Sequence, residues 1–599
     1  MFERALPFPA MPAAPPGTSS SWLHGRWSGL SSARRGDGSM FRPRASPLCT
    51  RLHIIQANFA GALSRTLSNR YNFRFGQLSW LPRPDRRPDA NRSAMTPASN
   101  VAIAFRWAPM LFTAPIFLFI FLPLFLLAYY TFSSRTEGRN IIALAASVLF
   151  FAWGEPIYVL VLLAGTLIDY CVSLVIAPHG KAGPRKKKWL LTAAIVLNIA
   201  ALVFSKYLDF IVTSLIQPFE FLHHVHLEPP HIPLLLGISF ITFHRISYLV
   251  DSYKGRAVPP RGFLDCALYI FLFPQLIAGP IIRYHDIGQQ IRSREHSAEG
   301  FLTGFNRFAF GLAKKLLLAD PLGIVADRIF GLPADGLSPL FAWGGIAAYT
   351  LQLYFDFSGY SDMAIGLGRM MGFRFPENFN RPYTALSVTD FWRRWHISLS
   401  SWMKQYLYIP LGGNRASPAR TYVNLWIVFV VSGIWHGANW TFVAWGAYYG
   451  TFLCIERALL SSRLGTIAVP TAVRWLFTML IVMVGWVLFR SPTIGHAGQY
   501  LAAMFGVSEP GPQSTTPWGL MFGNRELAMI LLGALIACVK LPRWKGGAPA
   551  ALTAAWSDKM VIDGAGAVSA QFLLTLSLVL ISAAAIASAE YVPFLYFRF

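Results

Sequence analysis

Apolar runs of about twenty residues recur along this chain, separated by short polar or charged stretches. From residue 110 onward they fall near 112–132, 140–155, 157–177, 189–216, 232–250, 263–282, 301–319, 340–367, 421–438, 440–459, 471–490, 525–541 and 568–588. A helix needs about 20 apolar residues to cross a bilayer core. The pattern therefore predicts an all-α polytopic membrane protein with about 10–13 transmembrane or re-entrant helices. Gly154-Glu155-Pro156 is a break signal that divides 140–177 into two helices. The stretch 301–319 carries Asn306, Arg307, Lys314 and Lys315, which fits a re-entrant or surface-lying helix better than a simple span. No internal repeat is visible, so the inverted-repeat signature of many secondary transporters is missing.

Composition agrees with the pattern. The 599 residues are 54% hydrophobic and only 13% charged, against about 25% charged in ordinary soluble domains. Mean hydropathy is +0.44. The net charge of +24 raises a nucleic-acid reading, but the excess forms no basic domain. Residues 1–109 hold fifteen Arg, no Lys and four acidic residues, a net +11. The remainder is what loop Lys and Arg supply under the positive-inside rule, so no nucleic-acid partner is expected. The five cysteines form no CxxC pair and indicate neither a disulfide framework nor a Cys-based metal site.

Residues 1–109 also differ in kind, being rich in Arg, Pro and Ser without helical or strand period. They read as a disordered extension, as a transit peptide, or as the product of a start codon placed too early, with Met95 or Met110 as the true start. Topology favours the last. Lys181–Lys188 belongs in the cytoplasm, and counting helices back from it puts residue 110 outside, where an Arg-rich segment would oppose the charge bias. The membrane domain is thus expected over 110–599.

The chemistry concentrates between Tyr349 and Tyr449. The apolar run YTLQLYFDFSGYSDMAIGLG contains Asp356 and Asp362. Carboxylates inside a membrane segment mark a site, or else cross-link helices, here around Gly359. Asp390 to Gln405 reads as one interfacial helix with Trp392, Trp395, His396 and Leu399 on one face and Arg393 and Arg394 at its sides. Those arginines pair equally well with lipid phosphates. His436 lies in a later apolar segment beside Gly433 and Gly437, which let another backbone or a ligand approach. A lone histidine in a helix is usually a hydrogen-bonded core residue, but a neutral imidazole also accepts a proton near pH 7. No metal is expected: HExxH, HxxxH and Cys/His clusters are missing, and His223, His224 and His226 read as a solvated tract. A GxSxG elbow and a P-loop are missing too.

Long blocks give a more specific indication. MLFTAPIFLFIFLPLFLLAYY (110–130), GISFITFHRISYLVDSYKG (237–255), FPQLIAGPIIRY (273–284) and FGLAKKLLLAD (310–320) come first. YFDFSGYSDMAIGLGRMMGFRFPENFNRPY (354–383), FWRRWHISLSSWMKQYLYIPLGGNR (391–415) and GIWHGANWTFVAWGAYYG (433–450) follow in order. Together they resemble the membrane-bound O-acyltransferase (MBOAT) family, in particular its bacterial alginate-acetylating branch, with core blocks over 237–450. The resemblance implies a bundle around a central funnel, with His436 essential and His396 the second catalytic histidine. It implies an acyl thioester such as acetyl-CoA as donor substrate, with no bound cofactor. It further implies a polysaccharide acceptor, periplasmic or secreted acetyltransferase partners, and a place in the bacterial inner membrane. On that reading His436 deprotonates the attacking hydroxyl, and His396 orients a substrate or donates to the oxyanion. Arg393, Arg394 and Lys404 attract donor phosphates. Trp392, Trp395, Asp356, Asp362 and Asn439 complete the candidate substrate-binding set.

Two departures from the family pattern bear on partner docking or acceptor choice: Lys404-Gln405 in place of an Arg-Asp pair, and the His244-Arg245 pair. The alternatives are D-alanyl transfer to teichoic acid, a transporter without chemistry, and a scaffold for polysaccharide export.

Overall fold

The computed structural model describes residues 110–217, 235–334, 336–462, 468–507, 522–538, 565–588 and 594. The extension 1–109 and the tract His223–His226 lie outside them. The described residues form helices and no strand. In chain order these are α1 (Phe117–Thr131), α2 (Thr136–Gly154), α3 (Tyr158–Ile176), α4 (Pro184–Lys206), α5 (Ile238–Lys254), α6 (Phe263–Phe271), α7 (Tyr284–Arg292), α8 (Ala298–Ala313) and α9 (Asp320–Phe330). Then come α10 (Pro339–Met370), α11 (Val388–Arg394), α12 (Ile397–Met403), α13 (Pro418–His436), α14 (Trp440–Ser461), α15 (Thr471–Arg490), α16 (Ile494–Met504), α17 (Asn524–Cys538) and α18 (Ala565–Ser588).

Helix starts follow local chemistry. Ser338-Pro339 and Ser417-Pro418 open α10 and α13, each serine accepting a backbone N–H of the first turn while the proline supplies a pre-set φ. The break at Gly154-Glu155-Pro156 falls where expected, between α2 and α3. The run 263–282 is not one helix. Its first helix ends at Phe271, a single helical turn follows at Phe273–Leu276 with Pro274 near its start, and Gly279-Pro280 is not helical. Side chains satisfy the freed backbone: Ser147 Oγ accepts from Phe273 N–H at 3.0 Å, and Ser398 Oγ accepts from Ile281 N–H at 2.9 Å.

The axis of the bundle is α10, 32 residues long and buried on nearly all sides. The stretch 301–319 does not lie on the surface. It packs lengthwise on α10, and its cations meet carboxylates there. Arg307 and Lys314 pair with Asp362 at 2.9 and 2.5 Å, and Arg307 also pairs with Glu377 at 2.5 Å. Lys315 bridges Asp356 at 2.8 Å and Asp320 at 2.5 Å. Between these pairs the backbones nearly touch. Gly304 faces Gly366, and Gly311 faces Gly359, two glycines seven residues apart on each helix.

Basic residues gather at one end of the bundle. Arg261 pairs with Glu137 at 2.8 Å, and Arg294 donates to Tyr129 at 2.8 Å. Tyr130 bonds the Met370 carbonyl, and Arg283 donates to Gln405 at 2.7 Å. These contacts bring the ends of α1 and α10 together with the starts of α2, α6 and α7. Gly255 at the end of α5 lies against Pro178, which precedes Lys181–Lys188. Arg245 stays internal, paired with Asp169 at 2.5 Å, so it offers nothing to a docking partner.

The glycine seam can be tested. A Cβ on Gly311 would sit 2.5 Å from the Gly359 carbonyl oxygen. Gly311→Ala should therefore destabilise by about 1–3 kcal/mol through overpacking. Gly498→Ala, with nothing within 4 Å, should be neutral. Thermal unfolding in detergent compares them.

Candidate active site

His436 is the last residue of α13. Its ring is 8% exposed and packed edge-on against Trp445 and Phe489, each at 5.2 Å between centroids, with Trp435 at 4.8 Å. It lines a cavity with Asp356, Phe357, Tyr360, Trp395, Trp486 and Phe594 among its walls. The space is about 30 Å³, enough for one or two waters. Among the described residues no hydrogen bond to the His436 ring is present.

The helix end that carries His436 is held from outside. Lys206 Nζ donates to the carbonyls of Trp435 and His436 at 2.9 and 2.8 Å, and Tyr207 donates to that of Ile434 at 2.8 Å. A helix C-terminus leaves carbonyls unpaired and partially negative, so an ammonium there both bonds them and answers the dipole. Gly433 and Gly437 admit a protein neighbour rather than a ligand: Gly433 lies against the Phe442 carbonyl and Gly446, and Gly437 against the Phe442 ring.

His396 is 1% exposed and lies on the other side of Trp435, 6.3 Å away between centroids. Asp390–Gln405 is not one helix. The chain breaks at Trp395–His396, and His396 adopts φ 45°, ψ 55°. A non-glycine residue in the left-handed region is strained and persists only where its surroundings enforce it. Here Asn380 N–H donates to the Arg394 carbonyl and Ile397 N–H to the Asn378 carbonyl, both at 2.9 Å. The expected shared face consequently splits. Trp395 joins Trp486 (5.0 Å) at the His436 cavity, whereas Trp392 meets Tyr449 (4.9 Å) and Trp445 (5.5 Å) beside a second cavity.

The second cavity, about 470 Å³, is lined by Trp392, Leu399, Val428, Phe429 and Leu453, with Arg393, Lys404 and Arg457 among its polar walls. Trp392 in its wall touches Trp445, which in turn touches the imidazole of His436. Arg394 is not part of it, being paired with Asp390 at 2.9 Å.

The remaining candidates separate into cavity and framework. Asp356 borders the His436 cavity while pairing with Lys315. Asp362 lies in a different, polar cavity with Arg307, Lys314 and Glu377. Asn439 caps α14, accepting from Thr441 N–H at 3.0 Å and donating to the Pro492 carbonyl at 2.9 Å. No group of three metal-ligating side chains is found among the described residues. Sequence reasoning passed over Lys206, Lys315, Asn378, Trp445 and Trp486. Lys206 carried a signal, as the one cation inside the run 189–216. Asn378 carried only its place in NFNRPY, between the two chemistry-bearing segments.

A helical bundle with apolar spans and a buried imidazole, His436, beside a water-sized aromatic cavity has the make-up of a multi-pass membrane enzyme. The profile of the membrane-bound O-acyltransferase family matches residues 231–491. The "Probable alginate O-acetylase" of Pseudomonas aeruginosa is 40% identical over 537 residues, covering 82% of this chain and 100% of that protein. Its Azotobacter vinelandii counterpart is 43% identical over 446 residues, 72% of this chain and 84% of the relative. The "Peptidoglycan O-acetyltransferase" of Helicobacter pylori is 37% identical over 431 residues, 67% of this chain and 80% of the relative. The chain belongs to the membrane-bound O-acyltransferase family.

Lys206→Met should take the charged donor from the His436 and Trp435 carbonyls, the latter keeping Tyr207 at 3.3 Å as a side-chain donor, and lower stability by about 1.5–3 kcal/mol, the worth of charged hydrogen bonds. Lys206→Arg should recover most of it. Thermal unfolding of the purified variants reads the difference.

Proposed function

We propose that this enzyme transfers an acetyl group from a cytoplasmic thioester, acetyl-CoA or an equivalent carrier, towards hydroxyls of an extracellular polysaccharide of alginate type. The observation that carries the reading is His436, buried at a helix end beside a cavity of about 30 Å³ walled by Trp395, Trp486 and Phe357. Such a space takes a group of only a few atoms, which suits a two-carbon acyl group. The relatives named above, which act on alginate and peptidoglycan, support a polysaccharide acceptor.

The end of the bundle rich in Arg and Lys faces the cytoplasm under the positive-inside rule, in the inner membrane of a bacterium. The larger cavity, with Arg393, Lys404 and Arg457, belongs to the segments nearest that face and suits the phosphates of a donor. The acetyl thioester then reaches His436 past Trp392 and Trp445. The hydroxyl oxygen attacks the thioester carbonyl as His436 takes its proton. The C–O bond forms, the C–S bond breaks, and the same proton passes to the departing sulfur. A dry aromatic wall protects the thioester from hydrolysis. Periplasmic or secreted acetyltransferase partners complete delivery to the polymer where the acceptor is not reached directly.

His436→Ala should insert normally yet abolish acetylation. The measurement is the acetyl content of extracellular polysaccharide in a deletion strain complemented with either form, with peptidoglycan acetyl content measured beside it. Substantial acetylation by the variant would refute the proposal. Arg393→Glu combined with Lys404→Glu should raise KM for acetyl-CoA roughly tenfold or more, with kcat nearly unchanged, because the charges contribute binding rather than chemistry.

A further inference from the structure

The support of His396 has a directionality that fixes where its proton sits. The side-chain oxygen Oδ1 of Asn378 receives three contacts: His396 Nδ1 at 3.0 Å, Ser398 Oγ at 2.9 Å and Ser398 N–H at 3.3 Å. A backbone N–H only donates, so this corner of the amide is its oxygen and not its nitrogen. The amide nitrogen points the other way and donates to Ser361 Oγ at 3.0 Å. Ser398 Oγ accepts from Ile281 N–H at 2.9 Å, which leaves its own proton for Asn378. Every direction in the network is thereby set. An amide oxygen only accepts, so Nδ1 of His396 carries a proton. In a neutral imidazole the other nitrogen, Nε2, then holds a lone pair. That Nε2 is buried and has no hydrogen-bond partner among the described residues.

We propose that Asn378 is the positioning residue of the site: its amide oxygen holds His396 as the Nδ1–H tautomer and so presents Nε2 as a hydrogen-bond acceptor for a second hydroxyl of the acceptor, which leaves the one proton of the attacking hydroxyl for His436. The inference rests on the acyl-transfer reading and refines it. His396 in this tautomer has no proton at Nε2 to give to an oxyanion, so its part is to orient the acceptor through that second hydroxyl. His436, with no fixed partner on its ring, carries the proton from hydroxyl to sulfur. Asn378 also accepts Ile397 N–H at its backbone carbonyl, so one residue sets both the turn at His396 and the ring's tautomer.

Two replacements separate positioning from packing. Asn378→Leu keeps the bulk but offers no acceptor, whereas Asn378→Asp keeps the acceptor. In purified, bilayer-reconstituted enzyme with acetyl-CoA as donor, Asn378→Leu should lower kcat roughly 100-fold, the scale of a general acid–base contribution, with KM for acetyl-CoA unchanged. Asn378→Asp should recover most of that loss. If the folded Asn378→Leu protein turns over like the wild type, the proposal is overturned.

A second readout needs no activity. In enzyme labelled with 15N-histidine, the His396 signals, assigned by their loss in His396→Gln, should show a protonated Nδ1 and an unprotonated Nε2. They should become a tautomer mixture in Asn378→Leu. A protonated Nε2 in the unliganded wild type overturns the inference while leaving acyl transfer standing. Activity surviving in His436→Ala would instead overturn the acyl-transfer reading and leave the tautomer assignment untouched.

Discussion

A carboxylate in the middle of an apolar bundle has to meet a cation, and the pairing of Asp356 with Lys315 at 2.8 Å is the contact on which the rest of the site depends. Lys315 is 2% exposed and Asp356 4% at their side chains, so neither finds water. Losing Lys315 would take the shared cation from both Asp356 and Asp320, at a cost of about 3–5 kcal/mol. The pair therefore fixes the register of the segment after α8 against α10. The glycine contacts Gly304–Gly366 and Gly311–Gly359 keep the helices close enough for short side chains to meet. Once α10 is set, Asp356, Phe357 and Tyr360 stand at the His436 cavity. The same carboxylate thus serves both readings the sequence left open, cross-linking helices and bordering the site.

Much of this architecture was legible because membrane helices announce themselves by length and apolarity. The run 471–490 coincides with α15, and the split at Gly154-Glu155-Pro156 falls where turn chemistry puts it. The surface-lying alternative for 301–319 failed because a cation looks the same in sequence whether it faces water or a carboxylate 48 residues away on another helix. Local propensity carries no information about such a partner. The break at His396 was invisible for a related reason. FWRRWHISLSSW has the composition of a helix, and what interrupts it is a bond network centred on Asn378, eighteen residues upstream.

Of the site, His436, His396 and Trp395 were readable, whereas the helix-end support by Lys206 and Tyr207 was not. Those residues meet α13 across more than 220 positions of sequence. The departure at Gln405 also takes on a physical meaning. Gln405 accepts from Arg283 at 2.7 Å, while Arg283 keeps Asp286 as its ionic partner at 2.8 Å. A neutral acceptor therefore suffices there, since Arg283 is not left without a countercharge.

The two histidines are held in opposite ways, and the difference follows from where each lies. His436 ends a regular helix, its backbone clamped by Lys206 while its ring is bounded only by aromatic faces. Edge-to-face contacts define the ring's place without fixing which nitrogen carries a proton. His396 is the reverse case: strained backbone at φ 45°, ring tied to an amide, no freedom in its tautomer. On the proposed roles, the proton carrier loses and regains its proton within each turnover, so a rigid donor bond on its ring would oppose it. The proposed orienting residue gains from rigidity, because a fixed lone pair lowers the entropy cost of aligning the acceptor. The aromatic wall around Trp435, which touches both rings, keeps these two environments adjacent and dry.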